Sequence, residues 1–210
     1  MPPEPEPVRF DAVVLAGGRS SRLGGVDKAS LEFDGSTLLQ RTLQAVSGAG
    51  QTVVVGPAPG AGLPASVLQA REDPPYAGPA AAIAAGLAAL RTHAGRAEYT
   101  AVLACDMPYV GSTVQRLLDV AASLRQDGAP ASALMAQDGS DKLQPLAALY
   151  ETRALDGAVR ERGAHSQLAG MSVFRLVASL QVVPVPVSAP ATQDIDTWED
   201  ARTFGIRGPG

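Results

Sequence analysis

Between Leu15 and Lys28 the chain reads LAGGRSSRLGGVDK, with Gly17, Gly18, Gly24 and Gly25 interleaved among Arg19, Arg22, Asp27 and Lys28. Glycine lets main-chain N–H groups approach anionic oxygens that a Cβ would hold away. Arginine offers phosphate a planar fork, and lysine offers it a movable point charge. Together these are means of holding a polyphosphate. The plain alternative is a strand-to-helix connection with solvated basic residues, which is common in α/β folds. Spacing excludes the two commonest phosphate loops. GxxxxGK[ST] needs a Gly-Lys pair, which the chain lacks, and the dinucleotide fingerprint needs GxGxxG directly after a strand.

Carboxylates recur at three later places. Asp106, in Cys105-Asp106-Met107-Pro108, directly follows the apolar run YTAVLA. An aspartate at the carboxyl end of a buried strand is costly unless it is paired or bound to metal. Mg²⁺ favours carboxylate and phosphate oxygens, so Asp106 is the expected metal ligand. Arg71-Glu72-Asp73 precedes PPYAGP and reads on its own as a capping or solvated acidic turn. In Asp194-Ile195-Asp196-Thr197, alternation sets both carboxylates on one side of an extended segment, from which either could approach the metal. The bland reading there is a helix N-cap, at Asp196 or Thr197, leading into TWEDARTF. Cys105 and Met107 read as core, His93 and His165 have no partner at telling spacing, and Arg153 to His165 reads as a solvated helix face.

The elements that must carry these residues alternate. FDAVVL, from Phe10 to Leu15, reads as a parallel strand buried on both faces. Ser36 to Val46 reads as a helix capped near Ser36 or Thr37, followed by strands at Thr52 to Val55 and Val67 to Ala70. GPAAAIAAGLAALRTH reads as a helix packed through small residues, and Tyr99 to Ala104 as a central strand. A helix over Ser112 to Arg125 and strands at Ala131 to Ala136, Leu146 to Tyr150 and Gln181 to Pro186 complete the pattern. Strands alternating with helices predict an α/β fold: one three-layer α/β/α domain with a mostly parallel, twisted, Rossmann-like sheet. Ligands of such sheets sit outside the carboxyl ends of the strands. The expected domain spans residues 8–206, between an extended leader at 1–7 and a frayed tail at 207–210.

Composition narrows the classes. A net charge of −4 without a basic cluster argues against nucleic-acid binding. The single cysteine excludes an internal disulfide and a cysteine-based zinc site, as in a reducing cytoplasm. No apolar run approaches the roughly 20 residues of a membrane span, and MPPEPEP is unlike a signal peptide.

LAGGRSSRLGGVDK resembles the opening loop of nucleotidyltransferases with the sugar-nucleotide pyrophosphorylase type of fold. It is most similar to the MobA-like molybdenum cofactor guanylyltransferases, with Leu23 where methionine is usual. The resemblance runs through the chain in order and is weakest over residues 150–190. It implies transfer of GMP from GTP to molybdopterin carrying molybdenum, with release of pyrophosphate and with Mg²⁺ on Asp106. Leu15, Ala16 and Gly17 would present backbone groups to guanine, and Gly18, Arg22 and Lys28 would hold the triphosphate. Asp73 and Gly78 would contact the nucleoside. Gly56 stands where the family can have asparagine, and Gln144 stands where it often has histidine, on the acceptor side. The family's usual Asn-x-Asn-Thr is replaced here by Asp194-Ile195-Asp196-Thr197. The implied partners are GTP, a molybdopterin-type acceptor and, transiently, other proteins of that cofactor pathway, with the chain a cytoplasmic monomer or weak oligomer.

Rival readings stay open on the residues alone. A related nucleotidyltransferase using CTP, or another phosphorylated acceptor, would keep the loop, Lys28 and Asp106. A non-enzymatic nucleotide-binding or partner-binding protein would keep the glycines and lose the charges. A metal-dependent glycosyltransferase, suggested by Asp194-Ile195-Asp196, fits the opening loop poorly.

Overall fold

The computed structural model describes residues 7–18, 23, 26–56, 63–92, 95–164 and 168–206. Arg22 and both histidines lie outside the described residues, as do the leader and tail apart from the exposed Pro7.

Five of the six residues of β1 (Phe10–Leu15) are apolar and need cover on both sides, and the strand is buried at every position. It pairs in parallel with β4 (Thr52–Val55) on one side and β6 (Tyr99–Ala104) on the other, and β5 (Val67–Ala70) extends the sheet beyond β4. The remaining strands are β7 (Ala133–Gln137), β8 (Leu143–Glu151) and β9 (Val182–Pro186), giving the order β5-β4-β1-β6-β8-β7-β9. Only β8 runs against the rest, antiparallel to both β6 and β7.

Alternation along the strands divides the core between two faces. Ala12 and Val14 face the layer of α1 (Leu38–Ala45) and α3 (Val110–Gln126), packing with Leu39, Val114 and Leu117. Val13 and Leu15 face α2 (Pro79–Leu90), α4 (Thr152–Gly163) and α5 (Val173–Leu176), among Ile83, Leu87 and Leu155. The expected three-layer α/β/α architecture is therefore present. Helix α2 is rich in alanine and lies close to the sheet: a Cβ on Gly86 would stand 2.6 Å from Val13 Cγ1. Among the described residues no helix is long and apolar enough to cross a membrane.

Local departures from the expected elements have local causes. Asp34 and Gly35 take positive φ (52° and 76°), closing a hairpin between β2 (Glu32–Phe33) and β3 (Ser36–Thr37). Asp-Gly is a hairpin signal, but its two-residue strands show no period to read. The helix expected from Ser36 consequently begins at Leu38, with Thr37 and Gln40 in a reciprocal capping box. Strand β8 is longer than expected and is bulged against Met135/Ala136. The last helix among the described residues is α6 (Trp198–Thr203), capped by Thr197 and Asp200. A third cluster, with Leu23, Leu31, Leu38, Ile195 and Ala201, fastens this C-terminal segment beside the opening loop.

Candidate active site

Strand order reverses at β1: β4 lies on one side and β6 on the other, so the chains leaving their carboxyl ends diverge and open a crevice. A cavity of about 510 Å³ occupies that crevice. Leu15, Ala16, Gly17 and Gly18 line it from β1, and Ala104, Cys105 and Asp106 from β6. The walls are anchored by the sheet itself, since Ala16 N donates to Val55 O at 2.8 Å and Cys105 N to Leu15 O at 3.1 Å. Gly56 is absent from the lining but shapes it. Its φ is +151°, and a Cβ there would come within 2.7 Å of Gly17 N, so no side chain fits between the ends of β4 and β1.

Lys28 enters from a short 3-10 turn, Lys28–Ser30, which Asp27 caps by accepting from Ala29 N at 3.0 Å. Its ammonium donates to Asp106 Oδ2 at 3.1 Å and to Asp196 Oδ1 at 2.5 Å. The C-terminal segment is held there by backbone, with Ile195 N donating to Asp106 O at 3.1 Å, and by the burial of Ile195. Burial works against the Lys28 charge, yet Asp106 and Asp196 outweigh it and raise its pKa above the ordinary lysine value. Burial also raises the Asp106 carboxyl; Lys28 opposes that shift and nearby Asp194 adds to it.

From the β5 side the cavity receives Glu72 and Tyr76, and α2 begins at its edge with Gly78 and Pro79. Glu72 is buried; its Oε1 accepts from Tyr76 N at 3.0 Å, while Oε2 has no hydrogen-bond partner among the described residues. Asp73 is exposed and outside the lining, so this segment reaches the cavity through Glu72 rather than Asp73. The acidic cluster was visible in the sequence, but which of its two carboxylates turns inward was not. Asp27, Tyr76 and Leu146 are further lining residues that sequence reasoning passed over.

The structure thus brings together Leu15, Ala16, Gly17, Gly18, Lys28, Gly78, Asp106 and Asp196. Asp194 is exposed and outside the lining. Gln144 is also outside it, two residues before Leu146 on β8, and donates to Asp138 Oδ2 at 3.4 Å. Cys105 is buried, and burial pushes its thiol far above the ordinary range, which disqualifies it as a nucleophile. Among the described residues no group of three His, Cys, Asp or Glu side chains could hold a metal. Asp106 and Asp196 do converge on one cation, and two carboxylates suit an ion that takes its other ligands from phosphate and water.

Residues 12–181 match the family model described as the MobA-like NTP transferase domain. The chain belongs to that family. Over 158 residues it is 34% identical to the probable molybdenum cofactor guanylyltransferase of Methanosarcina acetivorans, covering 69% of this chain and 64% of that protein. The molybdenum cofactor guanylyltransferase of Bordetella petrii is 33% identical over 150 residues, covering 68% and 71%. The fold is also that of the 2-C-methyl-D-erythritol 4-phosphate cytidylyltransferase of Thermus thermophilus, with a TM-score of 0.65, 20% identity, and coverage of 94% of this chain and 97% of that one. The family match ends before Asp194 and Asp196, the segment that departs from the usual pattern.

Proposed function

We propose that this chain transfers GMP from GTP to a molybdopterin-type acceptor carrying molybdenum and releases pyrophosphate. The observation that carries this reading is Lys28 set between Asp106 and Asp196 beside the backbone of Leu15 to Gly18, at the switch point of the sheet. The names of the similar proteins supply the acceptor.

The reaction forms a bond from an acceptor phosphate oxygen to the α-phosphorus of GTP and breaks the bond from that phosphorus to the bridging oxygen of pyrophosphate. A phosphate monoester has its second pKa at about 6 and is already largely dianionic at neutral pH. No general base is needed, consistent with an inert Cys105. The task left to the protein is positioning and charge neutralisation. Backbone groups of Leu15, Ala16 and Gly17 meet the base, and Gly18 and Lys28 meet the phosphates. Arg22 is assigned to the phosphates by resemblance. Glu72 takes the nucleoside role that the resemblance gives to Asp73: a buried carboxylate with a spare oxygen accepts from N–H or O–H groups. Asp106 and Asp196 would hold Mg²⁺, which would supply charge neutralisation on the phosphate oxygens. Exposed Asp194 adds negative charge nearby, and Gln144 lies on the acceptor side.

The test is an assay of guanylyl transfer to molybdopterin with CTP as control, following dinucleotide and pyrophosphate. GTP-dependent product supports the reading. Product from CTP alone moves the assignment to a cytidylyl donor, and no product from either overturns it.

A further inference from the structure

Lys28, Asp106 and Asp196 reach the cavity from three separate segments, and none of them lies within a strand or an α-helix. Lys28 opens a three-residue turn, Asp106 comes just after the end of β6, and Asp196 sits in the irregular stretch before α6. Sheet hydrogen bonds therefore do not fix the distances among them.

The same three segments meet a second time, outside the cavity. Phe33 stands five residues after Lys28, Tyr109 three after Asp106, and Phe204 directly after α6. Their rings form one cluster. Phe33 packs edge-on against Tyr109, with centroids 5.4 Å apart at 80°, and against Phe204, at 6.1 Å and 86°. Tyr109 and Phe204 close the triangle at 5.9 Å. Aromatic pairs of this kind add a preferred geometry to simple burial. Arg41 of α1 braces the cluster: its guanidinium lies 4.7 Å from the centre of the Phe33 ring, and its Nε donates to Pro108 O at 3.1 Å.

An apolar layer carries the connection inward. Phe33, Trp198 and Phe204 pack against the buried cluster of Leu31, Ile195 and Ala201. Ile195 N in turn donates to Asp106 O at 3.1 Å. Rings, core and charged residues are thus contiguous from the surface to the cavity, and a close-packed interior transmits a displacement rather than absorbing it.

We propose that the Phe33–Tyr109–Phe204 cluster, braced by Arg41, is a positioning device that sets the geometry of Lys28, Asp106 and Asp196 for the chemical step. This rests on the nucleotidyl-transfer reading above. None of the four residues lines the cavity, so they act through the three charged residues and are positioning residues only. The contacts proposed for the nucleoside, at Leu15 to Gly17 and Glu72, are carried by β1 and the chain after β5 and do not depend on the cluster.

Phe33→Leu and Tyr109→Leu, which keep apolar bulk and remove a ring, test this beside Tyr109→Phe, which keeps the ring. Each leucine variant is expected to lower kcat by about tenfold or more, as small misplacements from remote changes do, with the KM for GTP within about twofold. Tyr109→Phe is expected to retain kcat. Unchanged kcat in the leucine variants overturns the proposal, and so does an equal loss in Tyr109→Phe. Should circular dichroism show Phe33→Leu unfolded, Tyr109→Leu decides, since Tyr109 is 42% exposed. Amide hydrogen exchange read by mass spectrometry needs no turnover. In the leucine variants the peptide covering residues 193–198 is expected to exchange about tenfold faster, while the peptide covering β1 keeps its rate. No acceleration at 193–198 overturns the proposal, and equal acceleration of both peptides overturns it as general destabilisation. If the unmodified chain transfers no nucleotide and the exchange pattern holds, the nucleotidyl-transfer reading falls while the cluster still positions the three charged residues.

Discussion

Lys28 Nζ donates to Asp106 Oδ2 at 3.1 Å across 78 residues of sequence, joining the end of the glycine loop to the end of the central strand β6. In the proposed reaction it joins the cation that would hold the phosphates to the carboxylate that would hold the metal. Replacing either is expected to remove transition-state charge stabilisation, costing a factor of about 10² to 10³ in kcat. The expected outcome for Lys28→Ala and Asp106→Ala is loss of pyrophosphate release with far-UV circular dichroism unchanged. Normal turnover by either variant would sink the assignment.

Glu72 and Asp73 separate two accounts of nucleoside binding. Glu72 lines the cavity with a spare buried oxygen, whereas Asp73 is exposed. A hydrogen bond to a charged group contributes about 1.5 to 3 kcal/mol, so Glu72→Gln is expected to raise the KM for GTP by about tenfold or more with a smaller change in kcat. Asp73→Ala is expected to stay within about twofold, the size of an ordinary surface change. Steady-state kinetics of the two variants decides, and the reverse ranking returns the role to Asp73.

The sequence carried the architecture because the strands of the main sheet are long or apolar enough to show themselves, and Asp106 and Lys28 because a charge beside a buried strand or a glycine loop needs a reason. It did not carry Glu72, since two neighbouring carboxylates are equivalent until the backbone between β5 and α2 turns one inward. Nor did it separate Asp194 from Asp196. Alternation relates both to one side of a strand, but the segment leaves 194 exposed and turns 196 to the lysine. The same limit applies within FDAVVL, read as a strand buried on both faces with no account of the charge it contains.

That charge, Asp11, is buried in β1 at the end away from the cavity. It accepts from Gln51 N and Ala97 N, both at 3.1 Å, and faces Arg96 Nε at 3.6 Å. Asp11→Ala leaves these donors without their acceptor and is expected to cost about 3 kcal/mol, measured by urea unfolding. The KM for GTP is expected to hold, because the site lies at the opposite end of the strand. A stability change under about 0.5 kcal/mol, typical of a neutral surface site, would contradict this account.

Asp200 makes a prediction in pH. Its Oδ2 accepts from Thr197 Oγ1 and Thr197 N, both at 2.8 Å, and from Asp196 N at 3.1 Å. The Thr197 hydroxyl bond lowers the carboxyl below its ordinary value; burial opposes it, and the two backbone bonds and the Lys28 charge add to the lowering. A carboxyl lowered in the folded state contributes stability that is fully present above its unfolded pKa and is lost as pH falls through the folded value. Asp200→Asn is therefore expected to unfold at lower temperature than the parent near neutral pH, by the ~1 kcal/mol of a helix cap. The gap is expected to narrow below about pH 4, where the unfolded carboxyl begins to take up its proton. Since Asp196 N is one of the donors, the same substitution loosens the residue that grips Lys28, and kcat is expected to fall with it. Thermal unfolding from pH 3 to pH 7 beside turnover at neutral pH checks both; a gap that widens on acidification would show that the capping carboxylate is not its source.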